Sequence, residues 1–235
     1  MKLFCLPYAG SSAHLIYNGW RGRAPEPVDV VPLELPGRGS LCTRPPVSVL
    51  DELMDFLATT VEANIPENET GRYAIFGHSF GAVLGFELAK TLQARGAASP
   101  VAVFVSACPP PHLAPRGPAV HTYSDHDIKE HLRALRGTPA ELLENDELFA
   151  LYLPSLRADY AILGAYRADR SARIGAPVVA LTGTRDEAVS ADCVRAWEQY
   201  TTGGFRSASI VGDHFFLTTA ADEVIASVAE WLQHA

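Results

Sequence analysis

A pentapeptide, Gly77-His78-Ser79-Phe80-Gly81, joins an apolar strand-like run, Tyr73-Ala74-Ile75-Phe76, to a segment that sets Leu84, Leu88 and Leu92 on one helical face. A serine at such a junction stands on a sharp strand-to-helix turn, with its hydroxyl exposed and its backbone strained. Gly77 and Gly81 fall where a β-carbon would collide with the crossing backbone. The turn also sets the N–H of Phe80 at a helix N-terminus, where negative charge on an oxygen is stabilised. Ser79 is therefore a candidate nucleophile, and its setting predicts a buried strand feeding a helix.

The rest of the chain repeats that alternation. Strand-like runs lie at residues 3–6, 28–33, 73–76, 101–105, 178–182 and 207–211, and most are continuously apolar and β-branched. Such runs suit parallel strands covered on both faces. Residues 51–65 read as a helix with Leu53, Leu57 and Val61 four apart and Ser48 as its cap. The last helix, residues 219–233, uses Val224, Val228, Trp231 and Leu232. The alternation predicts an α/β fold with a doubly wound, mainly parallel sheet. A length of 235 residues fits one such domain, residues 1–235, and no internal repeat is apparent.

Between residues 109 and 170 the rhythm breaks. A Pro109-Pro110-Pro111 entrance leads into short helical patterns at residues 125–135, 140–143, 146–151 and 155–166, with no convincing strand. This reads as a helical insertion between two strands. In an α/β sheet it would lie over the carboxyl ends of the strands, where Ser79 opens, and would serve as a lid or substrate-channel wall.

Composition removes several classes of function. A formal net charge of -8 argues against general binding to nucleic acid or an anionic membrane. Arg21, Arg23, Arg38 and Arg44 give the N-terminal part local positive character, which reads as solvated surface. No apolar run approaches membrane-spanning length, and the opening Met1–Leu6 segment, ended by Pro7, is too brief for a signal-peptide core. Cys5, Cys42, Cys108 and Cys193 are scattered, with no metal or redox spacing, as expected of free thiols in a reducing cytoplasm.

A serine is a weak nucleophile until a positioned base takes its proton and a third group orients that base. Of the eight histidines, His78 adjoins the nucleophile on a turn where neighbouring side chains diverge, and is expected to support the turn or line the pocket. His14 is close to the N-terminal loop, within reach of substrate. His112, His121, His126 and His131 belong to the insertion or its entrance, lack metal-motif spacing and read as solvated positions; His234 is terminal. His214, in Gly212-Asp213-His214-Phe215-Phe216 between the last strand and the last helix, is the expected base. The orienting acid should follow a late strand. Asp186 in Gly183-Thr184-Arg185-Asp186 fits, with Glu187 and Asp192 as nearby competitors; Asp213 adjoins His214 too closely to reach its ring. The order Ser79, Asp186, His214 is that of α/β-hydrolases. A second oxyanion donor beside Phe80 should come from the loop after the first strand, Leu6-Pro7-Tyr8-Ala9-Gly10-Ser11-Ser12, with Ala9 the first choice and Tyr8 the second.

Taken together, these segments resemble the stand-alone type II thioesterases that accompany polyketide synthases and nonribosomal peptide synthetases. Leu6-Pro7-Tyr8-Ala9-Gly10 is similar to that family's oxyanion loop, Leu35-Pro36-Gly37-Arg38-Gly39 to its L-P-G-R-G segment, and Gly77–Gly81 to its G-H-S-[FM]-G turn. Residues 135–139 and 153–160 resemble its lid, and the Asp186 and His214 segments its acid and base. Ser11 departs from the second glycine usual in the family's A-G-G loop, and Arg38 reads as part of a Pro-Gly turn rather than a catalytic group. The resemblance implies a cytoplasmic serine thioesterase that clears stalled or misprimed acyl groups from the phosphopantetheine arm of acyl or peptidyl carrier proteins. It implies no metal or bound cofactor, because the pantetheine belongs to the partner. A monomer is expected, and Met1 directly at the first strand favours a free-standing enzyme. A small-molecule esterase, lipase or amidase on the same fold is the alternative, and a noncatalytic binding module is a more distant one.

Overall fold

The structure, a computed structural model, describes residues 1–65, 72–113, 119–167 and 169–233. His234 lies outside the described residues, as do residues 114–118 and 168 of the insertion. In chain order the elements are β1 (Lys2–Leu6), α1 (Ala13–Tyr17), β2 (Asp29–Pro32), α2 (Leu50–Asn64), β3 (Tyr73–His78), α3 (Phe80–Ala94) and β4 (Ala102–Ser106). Then come α4 (Asp125–Leu135), α5 (Ala140–Glu144), α6 (Asp146–Ala165), β5 (Val178–Gly183), α7 (Ala191–Arg195), β6 (Phe205–Ile210), α8 (Phe216–Thr219) and α9 (Ala221–Gln233).

The apolar strands are sorted by the two-residue period of a pleated sheet. Tyr73 and Ile75 of β3, Val103 and Val105 of β4, and Val178 and Ala180 of β5 pack with α2 and α3. Their neighbours Ala74, Phe76, Ala102, Phe104, Val179 and Leu181 pack on the opposite face with Tyr17 of α1 and Val224, Val228 and Leu232 of α9. Both faces are covered, which is why these strands carry no polar alternation. The predicted stripe of Leu53, Leu57 and Val61 on α2 is buried, each side chain contributing about 1.5–3 kcal/mol relative to exposure. The edge strand β6 is the exception: it exposes Arg206, Ser207 and Ser209, polar cover that discourages pairing with another chain.

All six strands are parallel, in the order β2-β1-β3-β4-β5-β6. The chain steps outward from β1 to β2 and then returns to the other side of β1 to form β3. The order therefore reverses at β1 and β3, and the crevice beyond their carboxyl ends is where an open α/β sheet places a ligand. The loop after β1 and the turn at Ser79 both open there.

Two local expectations are corrected. Ser48 does not cap α2: its N-cap is Val49, which makes no side-chain cap bond, and Asp51 and Glu52 in the first turn are what complement the helix dipole. The two predicted segments 146–151 and 155–166 form one helix, α6, with Pro154 inside it. That proline removes one backbone donor, yet Asn145 caps the helix start and Phe149, Leu156 and Ile162 bury along it, so packing prevails over the local break. The last predicted helix, residues 219–233, forms as α9 from Ala221, set off from the short α8 before it at Ala220, whose φ of −126° leaves the helical region.

Candidate active site

The site is assembled from loop ends, beginning at the turn after β3. Ser79 has φ 54° and ψ −115°, a conformation costly for any residue with a side chain. The turn is too tight for a β-carbon at either flank. One added to Gly77 would lie 1.9 Å from the Gly81 carbonyl oxygen, and one on Gly81 would lie 2.4 Å from that of Leu6. The Ser79 N–H donates to the Ser106 carbonyl at 2.8 Å, tying the turn to the end of β4. The close approach of Gly81 to Leu6 and Pro7 also brings the start of α3 against the loop after β1.

The structure brings Ser79, His214 and Asp186 together, although they come from three separate loops. His214 Nδ1 donates to Asp186 Oδ2 at 2.8 Å, and Nε2 faces Ser79 Oγ at 3.3 Å. The first bond fixes the tautomer, leaving Nε2 as the acceptor for the serine proton. The second is long for a hydrogen bond, as is common before a substrate closes the site. The Asp186 side chain is buried, and its other oxygen accepts the N–H groups of Ala188 and Val189 at 2.9 and 3.1 Å. Burial pushes its carboxyl pKa up; the His214 bond and charge and those two amides outweigh this and hold it below the usual value. Among the described residues, none of the competing carboxylates bonds to His214. Glu187 is exposed, Asp192 pairs with Arg195, and Asp213 accepts the Phe215 N–H within its own turn.

His78 braces the His214 segment from behind. It is fully buried, with Nε2 2.9 Å from the His214 carbonyl oxygen and Nδ1 2.9 Å from Ser106 Oγ. A carbonyl can only accept, so Nε2 carries the proton and Nδ1 accepts from the Ser106 hydroxyl. Burial, assisted by the neighbouring His214, lowers the His78 pKa to about 3, and the ring stays neutral. Tyr8 and Phe215 line the same crevice, with ring centroids 5.3 Å apart.

Sequence reasoning leaves the second oxyanion donor open between Ala9 and Tyr8. Among the described residues, neither of those N–H groups nor that of Phe80 has a protein acceptor, whereas Gly10 donates to Asp159 at 2.7 Å. The Gly10 amide is thereby committed away from the crevice. His14 is also engaged: its Nδ1 lies 3.1 Å from Glu34, a buried carboxylate that further accepts the Ala13 and Leu35 N–H groups and the Ser12 hydroxyl. His112 and His131 are not the solvated positions expected of them, since each ring is bonded to a tyrosine hydroxyl, Tyr200 and Tyr160 respectively. His126 is exposed and His121 half-buried. The four cysteines are free, with burial pushing the Cys108 thiol up to about 12.

The helical insertion reaches this crevice at two points. A β-carbon on Gly137, between α4 and α5, would fall 1.9 Å from the ring of Phe215, the neighbour of His214. One on Gly10 would fall 2.0 Å from the Tyr152 hydroxyl of α6. The Arg38–Asp159 pair, which connects the L-P-G-R-G segment to α6, is the element of this region that sequence reasoning missed. Its partners are 121 positions apart, beyond any local pattern.

Comparison with known proteins places these features in a family. A family profile described as "Thioesterase domain" matches residues 1–232. The gramicidin S biosynthesis protein GrsT of Aneurinibacillus migulanus is 32% identical over 235 residues, covering 99% of this chain and 89% of that protein. Thioesterase PikA5 of Streptomyces venezuelae is 34% identical over 232 residues, covering 99% and 81%. Among solved structures, the type II thioesterase BorB from the borrelidin biosynthetic cluster superposes with a TM-score of 0.84 at 34% identity, covering 97% of this chain and 91% of that one.

Proposed function

The chain belongs to the thioesterase domain family, and from that premise we propose that it removes acyl groups from the phosphopantetheine arm of acyl or peptidyl carrier proteins, clearing stalled or aberrant chains in polyketide or nonribosomal peptide synthesis. The observation that carries this reading is the hydrogen-bonded chain Asp186–His214–Ser79 at a strained strand-to-helix turn, in a family of thioester hydrolases. The similarity to GrsT, PikA5 and BorB supports the biosynthetic setting.

The mechanism follows from the geometry. His214 Nε2 takes the Ser79 proton as Oγ attacks the thioester carbonyl, and Asp186 holds and stabilises the imidazolium. The N–H groups of Phe80 and Ala9, with Tyr8 as the alternative to Ala9, receive the negative charge on the tetrahedral oxygen. The C–S bond breaks, the proton on His214 goes to the departing thiol, and an acyl-Ser79 ester remains. His214 then takes a proton from water, whose oxygen attacks the ester, and returns it to Ser79 as the carboxylic acid leaves. The sequence of bonds closes with water as the sole co-reactant, so no metal or resident cofactor is assigned. The helical insertion, at the mouth of this crevice, is read as the lid or channel wall that shapes the acyl site and excludes water.

We read the enzyme as a cytoplasmic monomer whose partner is the carrier protein rather than nucleic acid or a membrane. Four free cysteines fit a reducing compartment, and a net charge of -8 disfavours nucleic acid and anionic membrane as partners; no helix among the described residues is long and apolar enough to cross a membrane. The reading is tested by measuring kcat/KM for one acyl group presented as a carrier-protein thioester, as an oxygen ester and as an amide. Preference for the carrier thioester is expected. Fast ester turnover beside none on the carrier would instead assign the site to a small-molecule esterase.

A further inference from the structure

The loop that carries Ala9 is held from behind by a buried ion pair. Arg38, in the loop after β2, forks onto Asp159 of α6, with Nη1 2.6 Å from Oδ2 and Nη2 2.8 Å from Oδ1. The two side chains are 8% and 1% exposed. Asp159 Oδ2 also accepts the Gly10 N–H at 2.7 Å. Arg38 reaches the carbonyl oxygens of Ser11 at 3.4 Å and Ser155 at 3.3 Å, while the Ser155 hydroxyl donates to the Gly37 carbonyl at 2.8 Å. One carboxylate thus receives an arginine from one loop and a backbone amide from the next.

Stability alone does not account for this arrangement. Burying both charges carries a desolvation penalty of several kcal/mol per ion, and such a pair adds little over well-packed apolar side chains. The Arg38 Nε is moreover buried without an acceptor among the described residues. What the fork supplies is direction, because a planar guanidinium bonded at two points fixes the carboxylate it meets.

That direction passes to the loop through its peptide planes. The Ser11 N–H donates to the Tyr8 carbonyl at 3.1 Å. In a trans peptide the N–H lies opposite the C=O, so the Ala9 N–H points away from the turn that Tyr8 and Ser11 close. The next plane is held by the bond from Gly10 to Asp159. Gly10 itself has φ 76° and the Tyr152 hydroxyl against its α-carbon, so no other residue fits there without strain. Both planes flanking Ala9 are fixed, one by the turn and one by α6.

We propose that Asp159 and Arg38 are positioning residues for the oxyanion site. Arg38 aims Asp159, Asp159 holds the Gly10 amide, and the held loop presents the Ala9 N–H to the tetrahedral oxygen. Because Asp159 stands on α6, the donor is in place only while α6 is seated, so the insertion completes the catalytic site as well as covering it. This rests on reading Ala9 as the oxyanion donor of a serine thioesterase.

The test uses the full chain and a soluble acyl N-acetylcysteamine thioester, with an acyl trifluoromethyl ketone as the tetrahedral analogue. Wild-type turnover and its loss in Ser79→Ala secure the reading of the site; turnover retained by Ser79→Ala would sink that reading, and this proposal with it. Asp159→Ala is expected to lower kcat roughly 10–100-fold with KM within about twofold, and to weaken the trifluoromethyl ketone by the same factor. Asp159→Asn, which keeps an acceptor for Gly10 but loses the charge, should fall between. It replaces Asp159→Ala by the same criterion if the latter does not fold. The combined Arg38→Met, Asp159→Ala variant should lose little more than the worse single variant, because both act through one bond. Folded Asp159 variants with kcat and analogue affinity within twofold of wild type, or a loss confined to KM, would overturn the assignment.

Discussion

Ser79 keeps its φ of 54° because the structure on either side leaves it no alternative: Gly81 is pressed against Leu6, and the Ser79 amide is tied to Ser106. At this scale the division of labour among the polar groups is testable. Asp186→Asn should leave KM and the thermal midpoint near wild type while lowering kcat by about four orders of magnitude, because the amide favours the wrong imidazole tautomer. Steady-state kinetics on a thioester substrate checks this, and a loss below tenfold would remove Asp186 from the catalytic group. His78 makes a separate prediction about stability. Its ordinary pKa of 6.5 is lowered to about 3 in the fold, so between those values the unfolded chain binds a proton that the folded chain does not. Stability therefore falls as pH drops below 6.5, by up to about 1.4 kcal/mol per pH unit through this group. Asp186, held below its ordinary 3.8, acts in the same sense only at lower pH. Urea unfolding from pH 7 to pH 4 should show a flatter dependence for His78→Gln than for wild type. Identical slopes would mean that His78 is not buried in its neutral form.

At the scale of elements, what the sequence discloses depends on how local the cause is. The strands at residues 73–76 and 178–182 are legible because burial on both faces writes itself as uninterrupted apolar runs. The turn at Ser79 is legible because its glycines sit two residues either side of the serine: Gly77 is demanded by contact with Gly81 and Ala82 within the turn, and Gly81 by the Leu6 backbone of the neighbouring strand. Helix α6 is misread as two segments because Pro154 is a strong local signal, whereas the packing of Phe149, Leu156 and Ile162 that carries the helix past it is not local. Arg38 reads as a turn residue for the same reason, since its partner Asp159 is brought to it by tertiary folding alone. His131 and His112 look solvated in sequence but meet tyrosine hydroxyls supplied by distant segments. The contact between α6 and the loop after β1 gives this scale its prediction. Gly10→Ala places a methyl group 2.0 Å from the Tyr152 hydroxyl at a left-handed backbone position, and should lower stability by about 1–2 kcal/mol from backbone strain alone. Denaturant melts check the stability, and kcat should fall with it because the same residue orders Ala9. A variant as stable and as active as wild type would show that α6 does not rest on this loop.

Over the whole molecule, the reversal of strand order at β1 decides where chemistry takes place. It opens a crevice between the loop after β1 and the turn after β3, and into it β5 delivers Asp186 and the segment after β6 delivers His214. The insertion between β4 and β5 then reaches over the same crevice through Gly137 and Tyr152. Hydrolysis by that arrangement requires a covalent intermediate at Ser79. The direct measurement is rapid-quench intact-mass analysis of the protein mixed with an acyl carrier protein bearing a thioester, followed by peptide mapping. The expected result is a transient mass gain equal to the acyl group, mapped to the peptide containing Ser79, absent in Ser79→Ala and abolished or greatly slowed in His214→Ala. Turnover of the carrier thioester at wild-type rate by Ser79→Ala, or an acyl group mapped to another residue such as Cys42, would contradict it.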